Sequence, residues 1–169
     1  MQAAALTAKG GSSTKGSSTP VVRGAMRAWT DWLKLTLTQG GPGQCTFPIN
    51  NACNAGCAFC GFNRNTLKRE DWKFVPVDGA RRAAEILYRN GIHYLVLTGG
   101  ETMMHPHLLE ICRHAKDVGM TVLLVTNGSL LTPRSCEDLK KNGVSSVFIS
   151  IDAHDVGAHE KNRGLPKVC

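Results

Sequence analysis

What this sequence lacks narrows its chemistry before any motif is read. No apolar run approaches the roughly 20 residues of a bilayer-spanning helix. The longest, such as "MTVLLV" from Met120 to Val125, have the length of a strand. No basic segment is interleaved with aromatic residues, so the formal charge of +7 is weak evidence for nucleic acid, and none is expected as a partner. Residues 1–30 contain no acid and supply Lys9, Lys15, Arg23 and Arg27, four of those seven charges. A dense, even-numbered set of cysteines is also missing. The seven present include several isolated ones, which argues against a disulfide-stapled secreted scaffold and for a reducing compartment, the cytoplasm. With 42% hydrophobic and 20% charged residues, the 169-residue chain has the composition of one domain with its own core.

Residues 1–24, rich in Ala, Gly, Ser, Thr and Lys, offer almost nothing to bury and read as a disordered tail. Their lack of acids also fits an organelle transit peptide, whereas "AAAL" is too short for a secretory signal core. Residues 25–43 read as a helix and linker, with Trp29, Trp32, Leu33 and Leu37 near one side. From residue 44 to 169 a unit recurs, in which a helical segment ends at glycine and a β-rich apolar run follows at once. The junctions are "RNGIHYLVLT", "DVGMTVLLV" and "KNGVSSVFISI", with Gly91, Gly119 and Gly143 at the helix stops. Asp78, Pro106 and Thr132 with Pro133 mark the helix starts. Strands near 44–50, 92–98, 120–125 and 144–151 alternate with helices, and their nearly continuous apolar character implies burial on both faces. This is an α/β fold of parallel βα repeats. Four strands cannot close an eight-fold barrel of about 250 residues. The expected sheet is therefore open, a partial barrel, or part of something larger.

In parallel α/β folds chemistry collects beyond the carboxyl ends of the strands. After the first strand comes "NACNAGCAFC", after the second "TGGETMMHP", after the third "TNGSLL" and after the fourth "DAHDVGAHEKNRG". Every unusual polar cluster thus falls on one edge. Cys53, Cys57 and Cys60, spaced by four and three, can bind three corners of a cubane cluster, leaving one iron open to a further ligand. The alternatives are a zinc site completed by Cys45 or a histidine, and chance loop cysteines.

"CNAGCAFC" resembles the CxxxCxxC signature of the radical S-adenosylmethionine (radical SAM) superfamily, including the aromatic residue before the third cysteine. "TGGE" is similar to that family's glycine-glycine-glutamate motif, and "TNG" and "SID" stand where its third and fourth strands end. The resemblance covers about Gln44 to Gly164. It implies a [4Fe-4S] cluster on Cys53, Cys57 and Cys60, with the fourth iron chelated by S-adenosylmethionine. One electron then cleaves the cofactor, giving a 5′-deoxyadenosyl radical that abstracts hydrogen from a substrate, small molecule or peptide, which the sequence does not identify. It also implies an electron donor such as flavodoxin or ferredoxin. Cofactor contacts are implied for Phe59, chiefly through its backbone, for Gly99 and Gly100, whose missing side chains let backbone approach the methionine end, and for Glu101 near the ammonium. Thr126 and Ser150 correspond to hydroxyls contacting the sulfonium-ribose region, with turn capping as the alternative; Asn127 and Asp152 are weaker candidates.

The remaining conspicuous residues have plainer readings. Cys112 and Cys136 are expected to pack as small hydrophobes, as is Cys45, although it lies on the first strand. Met103 and Met104 line the rim or fill gaps. His105 and His107 read as polar loop and helix-start residues, and Arg64, Lys68 and Arg69 as a solvated face. "HEKNRG", His159 to Gly164, resembles the "HDxxRG"-like stretch of peptide-modifying and related members. The family core has six βα units and this chain carries about four, so a C-terminally incomplete core is expected. A non-catalytic iron-sulfur or zinc-binding module, or an inactive truncated product, remains the alternative function.

Overall fold

A computed structural model describes residues 43–165 and, ahead of them, Trp29, Thr30, Leu33 and Leu37, all four helical. The expected tail and transit peptide lie outside the described residues. Four strands, β1 (Gln44–Asn50), β2 (Tyr94–Gly99), β3 (Thr121–Thr126) and β4 (Val144–Ile149), pair in parallel in the order β1-β2-β3-β4. Helices α1 (Val77–Arg89), α2 (Leu108–Val118) and α3 (Pro133–Lys141) connect them, and α4 (Val156–Arg163) follows β4. This is the expected open, parallel βα array. No helix among the described residues is long and apolar enough to cross a membrane.

The core forms where alternate strand residues meet the helices. Ile49, Leu95, Leu97, Val122 and Leu124 pack against Ala80 and Ala84 of α1, Ile111, Cys112 and Ala115 of α2, and Leu139 of α3. Because successive side chains point to opposite faces of a strand, only one face of the sheet is filled in this way. Burial on both faces, expected from the apolar runs, holds at β2, where Leu95, Val96 and Leu97 are all buried, but not across the other strands. β1 and β3 alternate between more and less buried positions, and in β4 Phe148 and Ile149 are about half exposed, at 53% and 50%.

Helix ends follow local chemistry. Thr132 accepts from the Ser135 backbone N–H while the Ser135 hydroxyl bonds back to the Thr132 N–H, a complete capping box with Pro133 in the first turn. The α1 and α2 starts shift by one or two residues from expectation, to Pro76 and His107 as N-caps, and Asp78 falls in the first turn, where a carboxylate favours the helix dipole. Gly91, Gly119 and Gly143 have φ of 82°, 111° and 94°, the left-handed stop their positions suggested.

Three cysteines resolve cleanly. Cys112 is fully buried in the core, and burial pushes its thiol up to about 12. Cys45 packs on the same core, at the amino end of β1 and five residues from Asn50, which puts it roughly 16 Å from the carboxyl edge. It is therefore not near the thiol loop. Cys136 is exposed on α3, contrary to the packing expected of it.

His105 is buried rather than a surface loop residue. It lies between the 3₁₀ turn Thr102–Met104 and α2. Its Nε2 lies 3.0 Å from the Val75 carbonyl oxygen, and its Nδ1 accepts from the His107 N–H at 3.1 Å, which together require the neutral Nε2–H tautomer. Burial holds its pKa below the ordinary value of 6.5, with nearby His107 adding to the fall and the Val75 bond opposing it. The unfolded state therefore binds the proton first as pH falls, and His105 contributes stability above the unfolded value that is lost as pH drops toward the lowered one. The unfolding free energy of wild type should lose up to about 1.4 kcal/mol per pH unit more than His105→Gln in the window below about pH 6.5, measured by urea denaturation at stepped pH.

Candidate metal and cofactor site

The carboxyl ends of β1 and β2 approach so closely that side chains are excluded between them. The Gly100 N–H donates to the Asn50 carbonyl at 3.1 Å, the Glu101 N–H to the Ala52 carbonyl at 2.6 Å, and the Asn50 side-chain amide to the Glu101 carbonyl at 3.0 Å. A Cβ on Gly99 would lie 2.4 Å from the Asn50 carbonyl oxygen, and one on Gly100 would lie 2.3 Å from that of Ala52. Both glycines are thus required by chain packing itself. This seam sets where the thiol loop leaves the sheet.

Glu101, 1% exposed, joins the second strand end to the third. Its Oε1 accepts from the Met103 N–H at 2.9 Å and the Thr126 hydroxyl at 2.7 Å, and its Oε2 accepts from the Asn127 N–H at 2.8 Å. A carboxylate has about four acceptor positions, so one remains on Oε2. The Thr126 hydroxyl also accepts from the Gly128 N–H at 3.1 Å. Asn127 donates to the Asn54 side-chain oxygen at 2.9 Å, and Asn54 donates to the Ser129 hydroxyl at 2.9 Å, which fastens the thiol loop to the third strand end as well.

Within the loop, Cys53 and Cys57 are buried and Cys60 is half-buried; they pack together with Ala55 and Leu165. The Ala55 N–H points at the Cys53 sulfur at 3.4 Å. Burial raises the Cys53 thiol above its ordinary range, opposed by that N–H and reinforced by Glu101 and the other two thiols. Asn63 closes the loop, donating to the Cys60 carbonyl and accepting from the Asn65 and Thr66 N–H groups and the Thr66 hydroxyl. Arg64 bridges the Asn54 carbonyl at 3.1 Å and the Gly164 carbonyl at 2.8 Å. Arg64 is exposed like Lys68 and Arg69, as expected, yet it also serves as a structural tie.

The three thiols share one cavity of about 140 Å³ with Phe59 from the same loop, Gly99 and Gly100 from the second strand end, Thr126 and Asn127 from the third, Ser150 from the fourth, and Arg163 from α4. Of the residues singled out for cofactor contact, Phe59, Gly99, Gly100, Thr126, Asn127 and Ser150 line it, whereas Glu101 and Asp152 do not; the Glu101 carboxylate is buried in bonds to Thr126 and Asn127. Ser150 offers a hydroxyl with no hydrogen bond among the described residues, while its N–H donates to the Thr126 carbonyl at 3.0 Å. Asp152 does not reach the cavity and is paired with Arg163. Among the described residues no three His, Cys, Asp or Glu side chains converge closely enough to hold a single metal ion. Thiols spread around a common space suit a cluster that takes one thiolate per iron.

Sequence reasoning missed Asn50, Asn54, Arg64 and Arg163. Asparagine beside the thiol motif was the available signal for the first two. Arg163 was visible only as part of "HEKNRG", and its role depends on α4 folding back onto the loop.

The sequence matches the family profile of the Radical SAM superfamily over residues 47–167. It is 33% identical over 119 residues to an AdoMet-dependent heme synthase of Methanosarcina barkeri, covering 70% of this chain and 33% of that protein. It is 31% identical over 118 residues to a probable GTP 3′,8-cyclase of Thermoplasma volcanium, covering 69% of this chain and 35% of that one. The fold is similar to that of SuiB of Streptococcus suis, solved bound to S-adenosylmethionine, with a TM-score of 0.62 at 18% identity over 88% of this chain and 35% of that chain. The chain spans about a third of the length of these curated relatives.

Glu101→Gln replaces one acceptor oxygen with a donor facing buried N–H or O–H groups. It should destabilise the metal-free protein by about 1–3 kcal/mol in urea denaturation. An unchanged midpoint would mean that the carboxylate is not holding the strand ends together.

Proposed function

The chain belongs to the radical SAM superfamily, a family of enzymes that use a [4Fe-4S] cluster and S-adenosylmethionine, and from that membership we propose that its own site binds both. The observation that carries the reading is the convergence of three thiols, two side-chain-free glycines and a free hydroxyl on one cavity at the carboxyl edge of a parallel sheet. The donor set fits the cluster: three sulfurs, no fourth thiol at the cavity among the described residues, and room beside them. Bound there, the cluster and cofactor would supply one-electron cleavage of the sulfonium and a 5′-deoxyadenosyl radical for hydrogen abstraction.

The protein's part is to hold and orient. In this reading Cys53, Cys57 and Cys60 are the ligands, each giving up its thiol proton on binding, which makes loading dependent on pH. Cys53 starts from a pKa raised by burial, which makes its proton harder to displace than that of a solvated thiol. Gly99 and Gly100 present unobstructed backbone to the cavity. Phe59, 68% exposed, forms an apolar edge beside the adenine region, and Thr126 and Ser150 face the sulfonium-ribose region. Glu101 acts by fixing Thr126 and Asn127, with one acceptor position left for an ammonium group. Residues 44–169 form the catalytic core in this proposal. The named relatives act on unlike molecules, so the substrate, and an electron donor of the flavodoxin or ferredoxin type, are supplied from outside what these residues specify.

Anaerobic reconstitution with iron and sulfide should give a brown protein with about four irons per chain. Cys57→Ala should lower iron affinity by more than the roughly 10–100-fold that outer-shell substitutions cost. Dithionite and S-adenosylmethionine should then yield 5′-deoxyadenosine. A formed cluster without that product selects the non-catalytic iron-sulfur module, and a colourless protein carrying zinc overturns the reading.

A further inference from the structure

The last residue of α4 grips the thiol loop with its main chain and its side chain together. The Arg163 carbonyl accepts from the Gly56 N–H at 2.8 Å, in the middle of the cysteine motif. Its guanidinium, with the side chain 13% exposed, donates from Nη2 to Asp152 Oδ1 at 2.6 Å, and Nη1 lies 4.0 Å from the Cys57 sulfur. The planar group sits 5.9 Å from the centre of the Phe59 ring. Asp152 is itself oriented, since its N–H donates to Nδ1 of the buried His159 at 3.2 Å.

One polar atom in this arrangement is unmatched. Among the described residues, Arg163 Nε is buried with no hydrogen-bond partner. Buried donors without partners are rare and cost about 1–3 kcal/mol. Nη2 is taken by Asp152, Nη1 reaches the Cys57 sulfur only at the long distance of 4.0 Å, and Nε is left over. The guanidinium cannot shed its proton, so it is a fixed positive charge lining the cavity.

The geometry points to Arg163 as the residue that tunes the reduction potential of a cluster held by Cys57, by setting its Nη1 N–H and a fixed positive charge beside that sulfur. This rests on the cluster-binding reading above. Reduction adds one negative charge to a cluster, so a neighbouring cation and hydrogen bonds to sulfur favour the reduced form. Asp152 opposes that effect while holding the guanidinium in place. Arg163 and Asp152 therefore push the potential in opposite directions.

The test is a redox titration of the reconstituted full chain, following the electron paramagnetic resonance signal of the reduced cluster. Arg163→Gln should lower the reduced-to-oxidised ratio at fixed potential about tenfold, a shift of about 59 mV to more negative values for one electron. Arg163→Lys should recover part of the shift, and Asp152→Asn should move the midpoint the other way. Equal midpoints in cluster-bearing wild type and Arg163→Gln overturn the inference. So does a shift of the same sign in Arg163→Gln and Asp152→Asn, as mere loosening of the loop would produce. If Arg163→Gln takes up no cluster, Asp152→Asn decides, with an upward shift in support and no shift or a downward one against. A wild-type chain that takes up no cluster overturns both readings together, whereas equal midpoints overturn this one alone.

Discussion

Two peptide backbones pass at the carboxyl edge of this sheet at a distance that no side chain survives. At Gly99 and Gly100 even a methyl group would lie within 2.4 Å of the carbonyl oxygens of Asn50 and Ala52. The contact extends parallel pairing past the end of β1, through the Gly100 and Glu101 N–H groups, and so carries regular hydrogen bonding into what would otherwise be a loose connection. A buried loop leaves its backbone polar groups in need of partners. The glycines meet that need by letting the second strand end serve as a template for the first, and Cys53 follows Ala52 directly.

From that seam the other contacts radiate. Glu101, placed by its own N–H bond to Ala52, carries its carboxylate to Thr126 and Asn127 on the third strand end, and Asn127 returns to Asn54 within the thiol loop. Arg64 and Arg163 close the circuit with α4 from the other side. The thiols are thereby presented to one cavity by a framework built from four strand ends. A site held this way can exclude water and keep its ligands oriented before any metal arrives, which lowers the ordering cost of binding.

Much of this was legible in the residues. The period of helix, glycine and apolar run located all four strands to within two residues, because glycine stops and strand-length apolar runs are local signals. Gathering polar motifs at one edge followed from topology alone. What escaped was tertiary. The apolar runs suggested a sheet covered on both faces, but residue type reports a preference for burial and does not say which neighbour provides it, so β4 reads as core and lies largely exposed. Cys136 lies exposed for the same reason, since a helix face is assigned only once its partners are placed, whereas Cys45 packs on the core as its residue type suggests. The glycines were read as room for a cofactor, and the nearer cause, room for the chain itself, requires knowing the register of β1 against β2.

The most direct measurement separates those two causes of the same glycines. Gly100→Ala can be compared with wild type in metal-free stability and in cluster uptake, before any S-adenosylmethionine is added. If the seam is what the site depends on, the added methyl forces backbone apart, with a stability loss on the order of 3 kcal/mol and greatly reduced cluster uptake. A variant that is as stable as wild type and loads a full cluster, failing only when the cofactor is added, would contradict the account.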